Sequence, residues 1–371
     1  MPRFKGEPDY RHGSPECTGV LLTNLGTPDA PDSPSLRRYL REFLWDPRVV
    51  EVPRPLWWLI LHGVILRTRP ARSAEAYRQV WDTLGEGSPL LAVSHRQQEG
   101  LQARLEERFK GPVKVALGMR YGRPSLAEGL AELNRAGARR ILVLPLYPQY
   151  SGSTTASTFD AVTTELQSWR WVPELRFVQH YPKDPGYIKA LAASVREHWA
   201  AHGEPDRLVM SFHGVPKRYL LQGDPYHCEC QATGRLLAEE LGLEEGRWQV
   251  TFQSRFGRAE WLQPYTDATM QALPGEGVKR VDVICPGFPA DCLETLQEIN
   301  DENREYFLEA GGEEFHYIPA LNDRADHLDA LADLAARHSR GWPELEDWEP
   351  RRAEAEAKAS RERALALGAD R

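Results

Sequence analysis

RLVMSFHGVP, residues 207–216, is a short apolar run that closes on a histidine and then breaks at Gly-Val-Pro. Leu208 to Phe212 reads as a buried strand, and Gly214 with Pro216 stops it, so His213 falls where the strand ends. The pattern occurs once more, as LLTNLGTP at residues 21–28. Two further patterns follow each run in the same order: MRYGRP (119–124) is matched by SRFGRA (254–259), and LPLYPQ (144–149) by CPGFPA (285–290). Three patterns repeated in order indicate an internal duplication. Aligning NLGTP with FHGVP sets Leu25 opposite His213, so the turn itself accepts an apolar residue and does not demand an imidazole.

Outward from these motifs, apolar runs at 20–23, 113–117, 141–145, 208–212, 249–252 and 281–285 alternate with helix-like stretches at 94–109, 125–136, 187–202 and 232–241. The alternation predicts an α/β fold of two similar lobes, each a parallel β-sheet flanked by helices. The expected division is an N-terminal extension (1–17), an N-terminal lobe (18–203), a C-terminal lobe (204–341) and a charged tail (342–371). The first lobe is longer between its first two motifs, which points to an insertion at about 43–89. That insertion carries Trp45, Trp57 and Trp58 together with Arg67, Arg69 and Arg72. It suits either an aromatic lip for a flat ligand bearing carboxylates or a buried helical hairpin with a solvated basic edge.

At 371 residues with a formal net charge of −8, the chain has core enough for two lobes and lacks the basic excess of a nucleic-acid binder. Its five cysteines have no disulfide-framework spacing and read as reduced thiols. The first residues lack a signal-peptide core, and LWWLILHGVIL (56–66) is too short to span a bilayer, so a cytoplasmic protein is expected.

The densest chemistry lies in CPGFPADCLETLQEINDEN, residues 285–303. Asp291, Glu294, Glu298 and Glu302 are spaced to share one face of an α-helix, either a solvated acidic face or a path for divalent metal and protons. His213 reaches the same carboxyl edge, where ligands of open α/β sheets bind. HCEC (227–230) is a weaker metal candidate, because Cys228 and Cys230 need two more ligands, such as Cys285 or Cys292. QYSGSTTAST (149–158) is hydroxyl-rich but lacks the phosphate-loop pattern, and no Gly-x-Gly-x-x-Gly follows a strand.

Taken together, LLTNLGTPD, GMRYGRPS, PLYPQYSGSTTAS, SFHGVPKRY, FQSRFGRAEWLQPYTD and CPGFPADCLETLQEI resemble the signatures of the ferrochelatase family, in the family's order, from about residue 18 to 323. The resemblance implies two Rossmann-like lobes with the active site in the cleft between them, and insertion of Fe2+ into protoporphyrin IX as the last step of haem biosynthesis. It implies that His213 and Glu294 are the catalytic and metal-site pair, with Asp291 and Glu298 as a proton and metal relay. It further implies that Leu25, Tyr121, Tyr150 and Trp261, with Arg67, Arg69 and Arg72 on the propionate side, bind porphyrin beneath a lip made by the insertion. Fe2+ is then a substrate and no resident cofactor is expected. Some members of the family carry a cysteine-ligated [2Fe-2S] cluster in a C-terminal extension, but no cysteine follows Cys292 here, which leaves only Cys228 and Cys230 as an alternative. The expected partners are protoporphyrin IX and Fe2+, peripheral membrane contact through the lip, transient contact with the preceding haem-pathway enzyme, and no nucleic acid. The competing readings are a chelatase for another metal or for coproporphyrin, and a non-catalytic porphyrin or haem carrier.

Overall fold

Strand β1 (Cys17–Thr27) is the axis of the first lobe: it pairs in parallel with β2 (Val113–Gly122) on one side and β3 (Ala138–Pro145) on the other, and β3 pairs with β4 (Glu174–Phe177). The second lobe repeats the arrangement with β5 (Arg207–His213), β6 (Trp248–Gln253), β7 (Arg280–Ile284) and β8 (Glu314–Ile318). The strand orders, β2-β1-β3-β4 and β6-β5-β7-β8, are the same when read lobe by lobe. The duplicated motifs are therefore a duplicated sheet. Strands β4 and β8 have no counterpart among the apolar runs of the sequence; they are edge strands of four and five residues with mixed burial. The computed structural model describes residues 4–370 except Pro8, Gly85, Glu86, Phe256 and Arg258. Phe256 and Arg258 of SRFGRA, parts of the expected N-terminal extension, and two residues of the expected insertion thus lie outside the described residues.

The helices are α1 (Ser33–Trp45), α2 (Arg54–Ile60), α3 (Leu66–Val80), α4 (Pro89–Arg108), α5 (Leu126–Arg135), α6 (Ser157–Leu166), α7 (Pro185–His202), α8 (Lys217–Leu221), α9 (Tyr226–Leu241), α10 (Thr266–Ala272), α11 (Arg304–Glu309), α12 (Ala325–His338), α13 (Pro343–Glu346) and α14 (Pro350–Ala366). Their starts follow local chemistry. The Asp32 side chain accepts from Ser35 N–H, and Ser125 and Glu128 form a reciprocal capping box. Asp184 caps α7 with Pro185 at its first position, and Gly203 at φ 87° ends it. Prolines at first helical positions extend α4 and α7 upstream of the expected starts at 94 and 187. Helices α4, α7, α9 and α12 pack on one another between the sheets. Their side chains join Val20, Leu22, Val115 and Leu142 of the first lobe to Leu208, Met210, Phe212 and Phe252 of the second in one continuous core.

The insertion is helical. Helix α2 passes through a π-helical turn (Leu61–Ile65) into α3, and Pro70 inside α3 leaves the Leu66 carbonyl without its helical donor. Arg37 Nε of α1 takes that carbonyl at 2.9 Å. Buried Trp57 donates its indole N–H to Leu44 O at 2.7 Å, at the orphaned end of α1. Trp45 and Trp58 remain exposed, so the insertion is a packed hairpin with an aromatic outer rim. Two expectations are corrected. Helix α14 is solvated, but the tail begins with an anchored segment: Trp342 is fully buried, and Glu344 receives a two-pronged ion pair from Arg140 of β3. HCEC, expected as a weak metal candidate, lies on α9; Cys228 is exposed and Cys230 buried, because residues two apart on a helix point to different sides. The two thiols therefore do not converge on one metal.

Candidate active site

His213 is the last residue of β5, at the carboxyl edge of the second sheet. Its Nδ1 lies 2.6 Å from Gly214 O, and since a carbonyl only accepts, Nδ1 carries a hydrogen, which in the neutral ring leaves the lone pair on Nε2. The turn beyond it is closely packed: a Cβ on Gly214 would sit 2.8 Å from Gln253 O and 3.2 Å from the Trp261 ring. Glycine is needed there, and Trp261 buttresses the histidine's turn through a bridge between Pro216 and Trp261.

Facing His213 is the loop and helix that follow β7. The Phe288 ring is centred 6.4 Å from the imidazole. Phe288 packs against a buried cluster of Leu90, Val93, Ala290 and Cys292, and Leu25, the residue paired with His213 by the internal repeat, packs against the same cluster. Beyond it, residues Glu294–Asn303 are wound as a π-helix, an uncommon form that occurs frequently at functional sites. This corrects the expected α-helical acidic row. Asp291 lies before the helix, buried, with its carboxylate accepting from Tyr317 Oη (2.6 Å), Asn322 Nδ2 (2.7 Å) and Thr295 Oγ1 (3.1 Å). It is held as an anchor for the helix start. Glu302 is turned to Gln297 at 2.7 Å.

Glu294 and Glu298 are both partly exposed. Glu298 accepts from Ser254 N–H at 2.7 Å, from Gln253 Nε2 at 3.3 Å and from the Ser254 hydroxyl. Ser254 adopts φ 62°, a left-handed conformation that aims its amide at this carboxylate. Burial raises the Glu298 carboxyl above its ordinary value, with Glu294 pushing the same way and the Ser254 hydrogen bond and His213 opposing. His213, Glu294 and Glu298 thus form one electrostatic neighbourhood. Among the described residues no group of three or more His, Cys, Asp or Glu side chains is placed to hold a metal ion.

Two tyrosines that the sequence reading missed complete this side. Tyr39 of α1 and Tyr77 of α3 are held well above the ordinary tyrosine range by burial, and the charge of Glu294 adds to both shifts. They therefore remain phenols able to donate. Helix α3 also packs on the π-helix and carries the three arginines: Arg67 and Arg72 exposed, Arg69 half-buried with its pKa lowered by burial and by Arg72.

The other expected cleft residues separate. Tyr150 is partly exposed beyond β3, its phenol pKa raised by burial. Tyr121, in contrast, has no exposed surface; its hydroxyl donates to Asp46 at 2.8 Å, and its ring lies edge-on to Phe43. It supports the base of the lip and does not line the cleft. Asp46 gathers Tyr121, Arg120, Ser157 and the Arg48 amide on one buried carboxylate, which these donors hold below its ordinary value against burial. A cavity of about 1040 Å³ runs outside α1 between Trp45, Trp58, His62 and Arg123; it reaches neither His213 nor Glu294, and the chemistry is placed by the side chains and not by that groove.

A model of the family described as Ferrochelatase matches residues 17–339. A ferrochelatase of Thioalkalivibrio sulfidiphilus is 66% identical over 99% of both chains, and one of Hydrogenovibrio crunogenus is 61% identical over 93% of this chain and 92% of its own. Among solved structures, the sirohydrochlorin chelatase SirB of Bacillus subtilis, in complex with cobalt, superposes with a TM-score of 0.50 at 8% identity, covering 89% of this chain and 98% of that one. That likeness speaks for the two-lobed fold alone. With the duplicated sheets, the histidine at the β5 edge and near full-length identity pointing the same way, the chain belongs to the ferrochelatase family.

Proposed function

We propose that the protein inserts Fe2+ into protoporphyrin IX, releasing two protons, and that His213 and Glu294 carry the reaction. The observation that supports this best is the imidazole with a free Nε2 at the β5 edge, opposite a π-helix bearing Glu294 and Glu298. Metallation removes two pyrrole protons and exchanges the iron's ligands for four ring nitrogens. A neutral Nε2 takes a pyrrole proton or presents iron to one face of the ring, while Glu294 and Glu298 hand on iron and protons. Glu298, with its raised affinity for protons, suits a proton carrier. Leu25, Phe288, Trp261 and Tyr150 serve as apolar walls that bend the macrocycle toward its transition state, and Arg67, Arg69 and Arg72 receive the propionates.

Asp291 acts from beneath as a positioning group, and Tyr121 is a structural support of the lip base. Fe2+ is a substrate here, and no resident cofactor is assigned. We place the protein in the cytoplasm. Its exposed lip touches the membrane surface peripherally, and it meets the enzyme that supplies its porphyrin only transiently. No described helix is long and apolar enough to cross a bilayer. Anaerobic incubation with Fe2+ and protoporphyrin IX or coproporphyrin III, followed by loss of free-porphyrin fluorescence, tests the assignment. Turnover of protoporphyrin is expected; preference for coproporphyrin would change the substrate, and inertness with both would overturn the activity.

A further inference from the structure

Two sequence features, the hydroxyl-rich stretch at 149–158 and HCEC at 227–230, meet across the lobe interface. Tyr150 N–H donates to Glu229 Oε2 at 2.7 Å, and Gly152 N–H donates to Asp224 Oδ2 at 2.7 Å. Ser151 Oγ reaches the same Asp224 oxygen at 3.2 Å, and Gln149 Nε2 donates to Thr233 Oγ1 at 2.9 Å. The donors come from the loop after β3 in the first lobe, and the acceptors come from the second. Glu229 is 7% exposed, and its other oxygen is paired with His180 Nδ1, so both oxygens of this buried carboxylate are committed to the first lobe.

The same segment also grips the base of the lip. Buried Tyr219 donates its hydroxyl to Arg48 O at 3.2 Å, and Arg218 Nε pairs with Glu51 at 3.1 Å. The Arg218 pair is nearly half-exposed at both ends and adds little energy, whereas the buried groups set geometry. All of these residues follow His213 directly along the chain.

We propose that residues 217–233 form a strap that holds Tyr150 and the lip base in register with His213, with Glu229 as its main positioning residue. The proposal rests on the reading that the cleft takes a tetrapyrrole. A stiff macrocycle seated on walls from one lobe must present its nitrogens to a histidine on the other, and displacements of about 1 Å in such a seat cost orders of magnitude in rate. Truncating Glu229 would leave the Tyr150 amide and His180 without their acceptor and free the Tyr150 loop.

The test compares the parent with E229A and E229Q by fluorescence titration of metal-free protoporphyrin IX, the absorption band of the bound porphyrin, and steady-state kinetics. The parent titration stands as its own control: absence of porphyrin binding there overturns the tetrapyrrole reading and the strap with it. Given parent binding, E229A is expected to raise Kd for porphyrin about tenfold, to lower kcat by about tenfold or more as the ring shifts against His213, and to shift the bound band. E229Q, which keeps an oxygen for Tyr150 N–H, is expected to recover most of the loss. A parent-like Kd and bound spectrum in E229A overturns the strap, as does equal loss in E229Q and E229A with a collapsed melting transition. If E229A does not fold, D224N carries the same readouts, since it sets an amide NH2 where one carboxylate oxygen was, and parent-like values in it overturn the proposal.

Discussion

His213 Nδ1 is committed to the Gly214 carbonyl, which fixes the tautomer before any substrate arrives. The alanine variant should therefore lose the base without disturbing the turn, because the packing there rests on Gly214 and Trp261. H213A is expected to fold with a parent-like melting temperature and to lose kcat by about 10²- to 10⁴-fold; near-parent metallation in a folded sample would remove His213 from the chemistry. Tyr121 gives the opposite expectation. Its hydroxyl is one of several donors on Asp46, so Y121F should lower unfolding stability by about 1–2 kcal/mol. Porphyrin KM and kcat in Y121F should stay within about twofold, and a large KM rise with unchanged stability would return Tyr121 to the cleft wall. The residue types of both positions were legible in the motifs. Which way Tyr121 faces was not, because it depends on Asp46 and Ser157, distant in sequence, gathering around the same hydroxyl.

At the scale of elements, three of the four strands of each sheet, β1 to β3 and β5 to β7, were legible because well-buried parallel strands read as continuous apolar runs. The edge strands β4 and β8 were not, since half-exposed strands of four or five residues lack such a run. The acidic helix was found but its winding was missed: carboxylates spaced by three and four suggest an α-helix, whereas the anchoring of Asp291 by Tyr317 and Asn322 takes that residue out of the row. Strand β7 holds a further group that no motif announced. Burial lifts the Asp282 carboxyl from 3.8 to about 6, against the pull of Arg280, the Trp199 indole and His202. Between those values it is protonated in the folded chain and ionised in the unfolded one. Its contribution is therefore complete below pH 3.8 and lost as pH rises through 6. Nearby His198, depressed by burial to about 4, works in the opposite sense and loses its contribution as pH falls from 6.5 through 4. D282N is neutral at every pH. It is expected to be more stable than the parent at pH 8 by up to about 3 kcal/mol, from roughly two pKa units at about 1.4 kcal/mol each, with the gain vanishing near pH 4. Thermal unfolding at both pH values checks this, and a gain of equal size at both would show that burial of charge is not the cause.

For the whole molecule, the internal repeat carried most of the reading, because a duplicated sheet places duplicated turns at one shared edge. What it does not predict is the asymmetry laid over the duplication: the helical insertion of the first lobe has no partner in the second. Its outer rim exposes Leu56, Trp58, Leu59 and Val64, with Leu59 at 61% and Val64 at 58%, while Trp57 turns inward to close α1. Such a contiguous apolar rim is exposed in water at a continuing cost and suits a lipid interface near the porphyrin's own hydrophobic milieu. If the rim docks on membrane, Leu59 and Val64 each contribute roughly 1–2 kcal/mol of transfer. The double variant L59S/V64S should then lower partition onto lipid vesicles by about 30-fold or more. Metallation of detergent-dispersed porphyrin should be far less affected, since neither side chain takes part in the His213 neighbourhood. Co-sedimentation with vesicles measures the first and fluorescence loss the second; undiminished sedimentation would leave the rim as porphyrin wall alone, and parallel loss of both would place Leu59 and Val64 in the substrate's seat.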